Sequence, residues 1–264
     1  MAPHLGDMNK DPIPYQELPA DTAAELDRLA RRFRQADGVG MQVLSLVGGQ
    51  AEDILGRLPL AVREGLDRAT KKALEVAFDA AFASRGRVRD RPDWLNTATT
   101  TAMGAIGGSG GLPTALAELP VTTMVLLRAI QGIAAETGFD VQDPVTRAQC
   151  LQVFAAAGPL ARDDGTDLAF LSARVTLSGP AIHGIIAKVA PRLATVLGQK
   201  LAAQAVPVIG AAAGAATNYA FTSYYQEMAR VYFGLRALAR DSGSDVETLV
   251  REFRVRVSPP KMVV

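Results

Sequence analysis

The chain has 264 residues, with 28 Lys or Arg against 27 Asp or Glu, so its net charge is +1. A charge so close to zero provides no field that would attract nucleic acid, and we exclude that class of partner. The single cysteine, Cys150, excludes a disulfide within the chain and is typical of a reducing compartment. No apolar signal segment is found near the N-terminus, so we expect a cytoplasmic protein.

The first third of the chain predicts an extended arm followed by three helices. Residues 1–20 contain four prolines, which favour extended backbone. We expect a first helix that ends near Gly38, because glycine commonly ends helices. A second helix is expected from roughly Val39 to Leu58. From Val62 to Ala80, apolar residues recur at spacings of three and four, which predicts an amphipathic third helix.

A basic segment follows the third helix and lies directly before the only tryptophan, Trp94. It carries arginine at four alternate positions, Arg85, Arg87, Arg89 and Arg91. One interpretation is a solvated loop. The other is contact with an anionic membrane, since each basic residue near such a surface contributes roughly 1 kcal/mol and tryptophan favours the interface.

The stretch from Ala102 to Phe139 is expected to form the centre of the fold. It belongs to a largely uncharged region long enough to cross a bilayer, which needs about 20 apolar residues. Glycines around Ser109 and then Pro113 and Pro120 interrupt this region, so a simple spanning helix is not favoured. We predict short helices packed inside a bundle, with a new helix that begins near Pro120.

The C-terminal half predicts further helices. Asp143 and Asp245 are each placed to cap one. The uncharged run from Leu201 to Gln226 is broken at Pro207, and Gly210 and Gly214 have the spacing of close helix contacts. The chain as a whole predicts an all-α fold, a compact multi-helix bundle whose apolar central helices are broken by Gly and Pro. Its helical domain would span 21–257, between the arm at 1–20 and a tail at 258–264.

Polar residues on the otherwise apolar helix after Gly210 give the main candidate site. Asn218, Thr222 and Gln226 recur every four residues and share one side of that helix. They would either form hydrogen bonds between helices or make the polar end of a pocket for a lipid or acyl chain. Such a pocket would take its charged or phenolic groups from five further residues, Glu118, Arg128, Tyr219, Glu227 and Arg230. Arg128 lies on an apolar helix, so its charge needs either water or a hydrogen-bond acceptor. Glu118 and Glu227 are the candidate acceptors.

A hydrolase motif is matched in letters only. Residues 107–111 read G-G-S-G-G, and the order Ser109, Asp163 and His183 is that of α/β-hydrolases. That motif needs a strand before the serine and a parallel sheet around it, which a helical chain does not offer. We therefore predict a flexible helix connection and no catalytic residue, and a hydrolase that uses Ser109 and His183 is the less favoured alternative. With one cysteine and two histidines, no zinc spacing exists, and we expect no metal or cofactor.

Two blocks of sequence resemble the EcsC protein family. The first is Glu118-Leu119-Pro120, followed by LLRAIQGIA at 126–134, the turn T-G-F-D at 137–140 and then Asp143-Pro144. The second is P-V-I-G at 207–210, followed by Gly214 and by N-Y-A-F-T at 218–222. One departure is Glu118, where the family usually has Asp.

The resemblance implies a bacterial protein, in some cases encoded near ABC-transporter components linked to secretion. It supplies no catalytic residue. Our leading hypothesis is a peripheral membrane protein at the inner face of the cell membrane that contacts lipid or transport and secretion components. The alternative is a helical carrier or binding protein for a lipid or acyl-chain ligand.

Overall fold

The computed structural model of the protein describes residues 18–47, 59–84, 93–109, 111–156, 168–172, 181–204 and 210–258. These residues form nine α-helices and a short 3-10 helix at Val153–Ala155, with no strand within the described ranges, which confirms the predicted all-α class. The helices are α1 Ala20–Val47, α2 Leu60–Ser84, α3 Asp93–Ser109, α4 Gly111–Glu136, α5 Pro144–Gln152, α6 Ala169–Ser172, α7 Ala181–Gln204, α8 Gly210–Ser242 and α9 Val246–Val257.

Helix α8 is the centre of the bundle, rather than the expected stretch from Ala102 to Phe139. It packs against α1, α3, α4, α7 and α9, and its contact with α3 is the most extensive between any two described helices. Its aromatic side chains Phe221, Tyr225, Tyr232 and Phe233 are almost fully buried. A helix with apolar residues on more than one face must be covered on more than one side, which places α8 in the interior.

The backbones of α3 and α8 approach closely at a pair of glycines. A Cβ atom built on Gly104 would lie 2.2 Å from the carbonyl oxygen of Gly214 and 2.7 Å from Cγ of Asn218. No side chain fits in that space. The sequence indicated Gly214 as part of a close contact, and the structure identifies Gly104 as the residue it faces.

Two predicted helix boundaries are wrong. Helix α1 continues through Gly38 to Val47, and α4 continues through Pro120. Glycine in a helix costs only about 1 kcal/mol and proline about 3 kcal/mol. The helix nevertheless passes through Pro120, a residue that favours a helix start.

Both predicted aspartate caps are confirmed. The Asp143 carboxylate accepts a hydrogen bond of 3.0 Å from the backbone N–H of Thr146 at the start of α5. The Asp245 carboxylate accepts from the N–H groups of Glu247 and Thr248, at 2.9 and 3.2 Å, at the start of α9. The arm at 1–20 and the tail at 258–264 lie almost wholly outside the described residues, as does the break expected at Pro207.

A helix that crosses a membrane must be both long and apolar. Among the residues that the structure describes, no helix has both the length and the apolar content needed to cross a bilayer.

Replacing Gly104 by Ala is expected to destabilise the protein by about 1–3 kcal/mol, because the new methyl group must push α3 away from α8. Gly132→Ala in α4 is the matched control: its Cβ would meet nothing within 4 Å. That control should raise stability by roughly 0.5–1 kcal/mol. Urea unfolding followed by circular dichroism measures both, and equal stabilities would contradict the close contact.

Candidate functional site

A groove runs along the outer side of the α3–α8 pair, with a volume of about 760 Å³. That volume is within the range of about 300–1,000 Å³ found for small-molecule sites. From α3, the lining residues are Thr97, Ala98, Thr101, Ala102 and Ala105. From α8, they are Ala215, Tyr219, Ser223, Gln226, Glu227 and Arg230.

The groove changes in polarity along its length. Thr97 donates a hydrogen bond of 3.2 Å to Gln226, whereas Gly104 faces Gly214, so the two helices run antiparallel. One end therefore combines Thr97 with the charged residues of α8, and the other is lined by alanines and the half-exposed Tyr219 ring. Since a helix rises 1.5 Å per residue, Ala215 and Arg230 are about 22 Å apart along α8.

A three-residue ion cluster forms the charged end. Glu227 accepts from Arg230 Nη1 at 2.6 Å through one carboxylate oxygen, and from Arg32 Nη1 at 3.0 Å through the other. Arg32 comes from α1, so three parts of the fold meet here. Burial lowers the pKa of Arg230 from its ordinary value, and the nearby positive charge of Arg32 lowers it further. Two guanidinium groups therefore contact the Glu227 carboxylate.

The middle of the groove is polar but uncharged. Ser223 of α8 lines it opposite Thr101 of α3. The Thr101 hydroxyl oxygen is buried and has no hydrogen-bond partner among the described residues. A buried hydroxyl without a partner costs free energy.

Asn218 and Thr222 face α3 rather than the groove. The Asn218 amide donates to the backbone carbonyl of Thr100 at 2.6 Å, and the hydroxyls of Thr222 and Thr100 are 2.7 Å apart. Both side chains are fully buried. The hydrogen bonds between helices that the sequence suggested are therefore present, and we call this hydrogen-bonded contact, made by Thr100, Asn218 and Thr222, the α3–α8 seam.

Comparison with known proteins assigns the chain to a family. The sequence model of the EcsC protein family matches residues 67–238, well over half of the chain. The chain belongs to the EcsC family. No curated protein and no solved structure matches it.

The region matched to the EcsC family contains both walls of the groove but not Arg32. Of the predicted ligand-binding residues, Tyr219, Glu227 and Arg230 line the groove. Arg128, half-buried on α4, is not among the lining residues. Glu227 binds Arg32 and Arg230. Glu118 belongs to α4, and its side chain lies outside the described residues.

The other predicted sites are only partly visible. The segment with Arg85, Arg87, Arg89 and Arg91 lies outside the described residues, as does the side chain of Trp94, the second residue of α3. Ser109 ends α3, so a helix and not a strand precedes it, and His183 is exposed near the start of α7. The strand that a hydrolase motif requires before its serine is replaced by helix. Within the described ranges, no group of three or more His, Cys, Asp or Glu side chains could hold a metal ion.

Sequence reasoning did not find Arg32 or Thr101. The four-residue spacing of Thr97, Thr101 and Ala105 is a signal for one face of α3, and it could have indicated the groove wall. For Arg32 there was no signal, because arginines are common on the polar face of an amphipathic helix and nothing in the local sequence names a partner 195 residues away.

A double-mutant cycle tests the hydrogen bond between Thr100 and Thr222 across the α3–α8 seam. Thr222→Val and Thr100→Val should each cost about 1 kcal/mol, and the double variant less than the sum, because one hydrogen bond is lost in all three. Thr195→Val is the control: this exposed hydroxyl bonds only the Pro191 carbonyl of its own helix, so the change should stay within about 0.5 kcal/mol. Strict additivity in chemical denaturation would contradict a bond across the seam.

Proposed function

We propose that this EcsC-family protein binds an amphipathic lipid or acyl-chain ligand in the α3–α8 groove. The single observation that carries the proposal is the polarity gradient of the groove. Alanines line one end, the hydroxyl-bearing Thr101 and Ser223 the middle, and Glu227 and Arg230 the other end, where Glu227 also binds Arg32. An amphiphile has the same order of hydrocarbon, linking polar group and head, so each part of it would meet a surface of matching chemistry.

The apolar end supports a hydrocarbon chain in particular. Ala102 is exposed, and Ala105 and Ala215 are partly exposed. Methyl groups offer apolar surface without projecting into the groove, so a chain placed there would remove apolar area from water on both sides. The Tyr219 ring, 48% exposed, adds a flat apolar wall with a hydroxyl at its edge.

Binding in the groove is tested by filling it. Ala102→Trp should weaken binding of a fluorescent fatty acid at least about tenfold, which corresponds to roughly 1.4 kcal/mol, because the indole occupies the space of the chain. Ala135→Trp is the matched control, since Ala135 is exposed on α4 and does not line the groove.

Displacement titration with unlabelled dodecanoate gives the affinities of both variants and of the original chain. Native mass spectrometry of protein purified without detergent would show whether a lipid-sized mass is retained. If Ala102→Trp and Ala135→Trp bind the probe equally, the groove is not the binding site.

We further propose that the protein collects or presents this ligand at the inner face of the cell membrane. The order of residues in the sequence supports this proposal. Arg85, Arg87, Arg89, Arg91 and Trp94 immediately precede Thr97, the first groove residue of α3 and a member of its charged end. A basic segment with tryptophan favours an anionic lipid surface. Transport or secretion components, which the family resemblance implies, would be partners there.

Flotation with liposomes tests the membrane contact. The protein should float with vesicles rich in anionic lipid and should lose most of this binding when all four arginines at 85–91 are changed to Gln. Changing the same four to Lys keeps the charge and should keep most of the binding. Binding that is equal on zwitterionic and anionic vesicles, or that survives the Gln variant, would contradict the proposal.

A further inference from the structure

We propose that the outer surface of the α1–α9 pair is a second membrane contact, where the protein binds the headgroups of anionic lipids. We call this surface the basic face and define it by four exposed arginines, Arg31, Arg34, Arg251 and Arg254. The inference rests on the membrane contact proposed above, and it adds a surface from two other parts of the chain. Two contacts would fix the orientation of the protein on the bilayer.

Packing of α1 on α9 brings the arginines of the basic face together. Phe33 and Phe253 meet edge-on at 5.8 Å between ring centroids, and Arg34 Nη1 donates to the backbone carbonyl of Arg256 at 2.8 Å. The other three arginines lie within two positions of these phenylalanines in the sequence. The basic face therefore joins parts of the chain that are 222 residues apart, and no basic run in the sequence indicates it.

Positive charge is in excess on this surface. Two carboxylates at its edge, Asp27 and Glu252, both bind Arg256, at 3.0 and 2.9 Å. Within the described residues, none of the four arginines of the basic face pairs with a carboxylate. Asp245 and Glu247 belong to the opposite end of α9, where acidic groups complement the helix dipole.

The fold accounts for only two of the four arginines. Arg34 donates to a carbonyl in the last turn of α9, and Arg254 donates to the carbonyl just before α6. Arg31 makes no hydrogen bond or ion pair with the residues that the structure describes. Arg251 reaches only the Thr248 hydroxyl of its own helix, at 3.4 Å. Arg31 and Arg251 are therefore available to a partner outside the chain.

The inner side of α9 determines the depth of the contact. Leu249, Val250 and Phe253 are buried in the core, so α9 cannot turn its apolar side toward a bilayer as a free amphipathic helix does. The contact is thus limited to the headgroup layer. On the outer side, Val255 is 69% exposed and lies one turn from Arg251. Arginine next to an aliphatic side chain fits an anionic lipid surface.

The position of the basic face favours lipid over an acidic protein partner. The basic segment at 85–91 ends two residues before α3 begins. In the first turns of α3, Thr97 bonds a side chain of α8 whose next residue is Glu227, and Glu227 is bonded by Arg32. Arg32 directly follows Arg31. The two basic elements thus approach the same part of α8, and a bilayer is broad enough to contact both.

Vesicle binding of a double variant tests the basic face. Arg31→Gln combined with Arg251→Gln should weaken binding to mixed phosphatidylglycerol and phosphatidylcholine vesicles by about tenfold or more, since a basic residue at an anionic surface contributes roughly fivefold. Changing the same two residues to Lys should keep most of the binding. Arg68→Gln combined with Lys72→Gln is the charge-matched control, because both residues are exposed on α2, which packs mainly on α4 and α7.

A fluorescent label locates the contact. A label on Val255→Cys should be quenched on the vesicles, and more by quenchers in the headgroup layer than by quenchers deep in the acyl chains. Val76→Cys, 48% exposed on α2, is the matched control and should be quenched little. The native Cys150 is buried, so the label is directed to the introduced cysteine. Equal quenching at both positions would overturn an oriented contact.

The outcomes separate this inference from the proposed function. If the double Gln variant binds vesicles as tightly as the original chain, or if the double Lys variant loses binding equally, the basic face is overturned. Loss of binding in the Gln variant of 85–91 alone then leaves the first contact in place. No binding of the original chain to anionic vesicles overturns both contacts, whereas fatty-acid binding in the groove is measured without vesicles. Tighter binding to poly-glutamate than to vesicles would overturn lipid as the partner in favour of an acidic protein.

Discussion

The close approach of α3 and α8 at Gly104 and Gly214 is the constraint on which the rest of the structure depends. A carbonyl oxygen 2.2 Å from the position of a Cβ leaves room for hydrogen only, so the two backbones touch. At this separation the short side chains of Thr100, Asn218 and Thr222 can bond across the interface. The bonds are buried, and because unpaired buried polar groups are costly, they also fix the register of the two helices.

The same small residues that permit the contact create the groove. Large side chains flanking a helix pair fill the space on either side of it, whereas Ala98, Ala102, Ala105 and Ala215 leave it open. The groove is therefore a consequence of the packing of α3 on α8 and not a separate feature. Helix α8 contributes side chains to three surfaces. Asn218 and Thr222 face the seam, and Tyr219, Ser223 and Arg230 line the groove. Phe221, Tyr225 and Tyr232 pack in the core.

Helical periodicity explains how much could be predicted from the sequence. It places residues on faces of one helix, and so it put Asn218 and Thr222 on one side of α8, whereas the caps at Asp143 and Asp245 followed from the preference of aspartate for helix starts. It does not say what each face meets. A helix continues through Gly38 or Pro120 when the continued helix buries enough apolar surface against its neighbours. Residue preferences along the sequence do not give this buried area. The partner of Glu227 was missed for the same reason.

Arg32 also shows how a residue outside the matched family region can be held in a site within it. Helix α1 packs on α8 so closely at Leu29 that a Cβ on Gly234 would lie 2.8 Å from a Leu29 methyl group. The next residue after Arg32, Phe33, is buried edge-on against Phe253 of α9 at 5.8 Å between ring centroids. Packing on both sides of Arg32 thus fixes the backbone that carries its guanidinium. Because the core sets this position, the placement of Arg32 beside Glu227 does not depend on the weak attraction of a partly exposed ion pair.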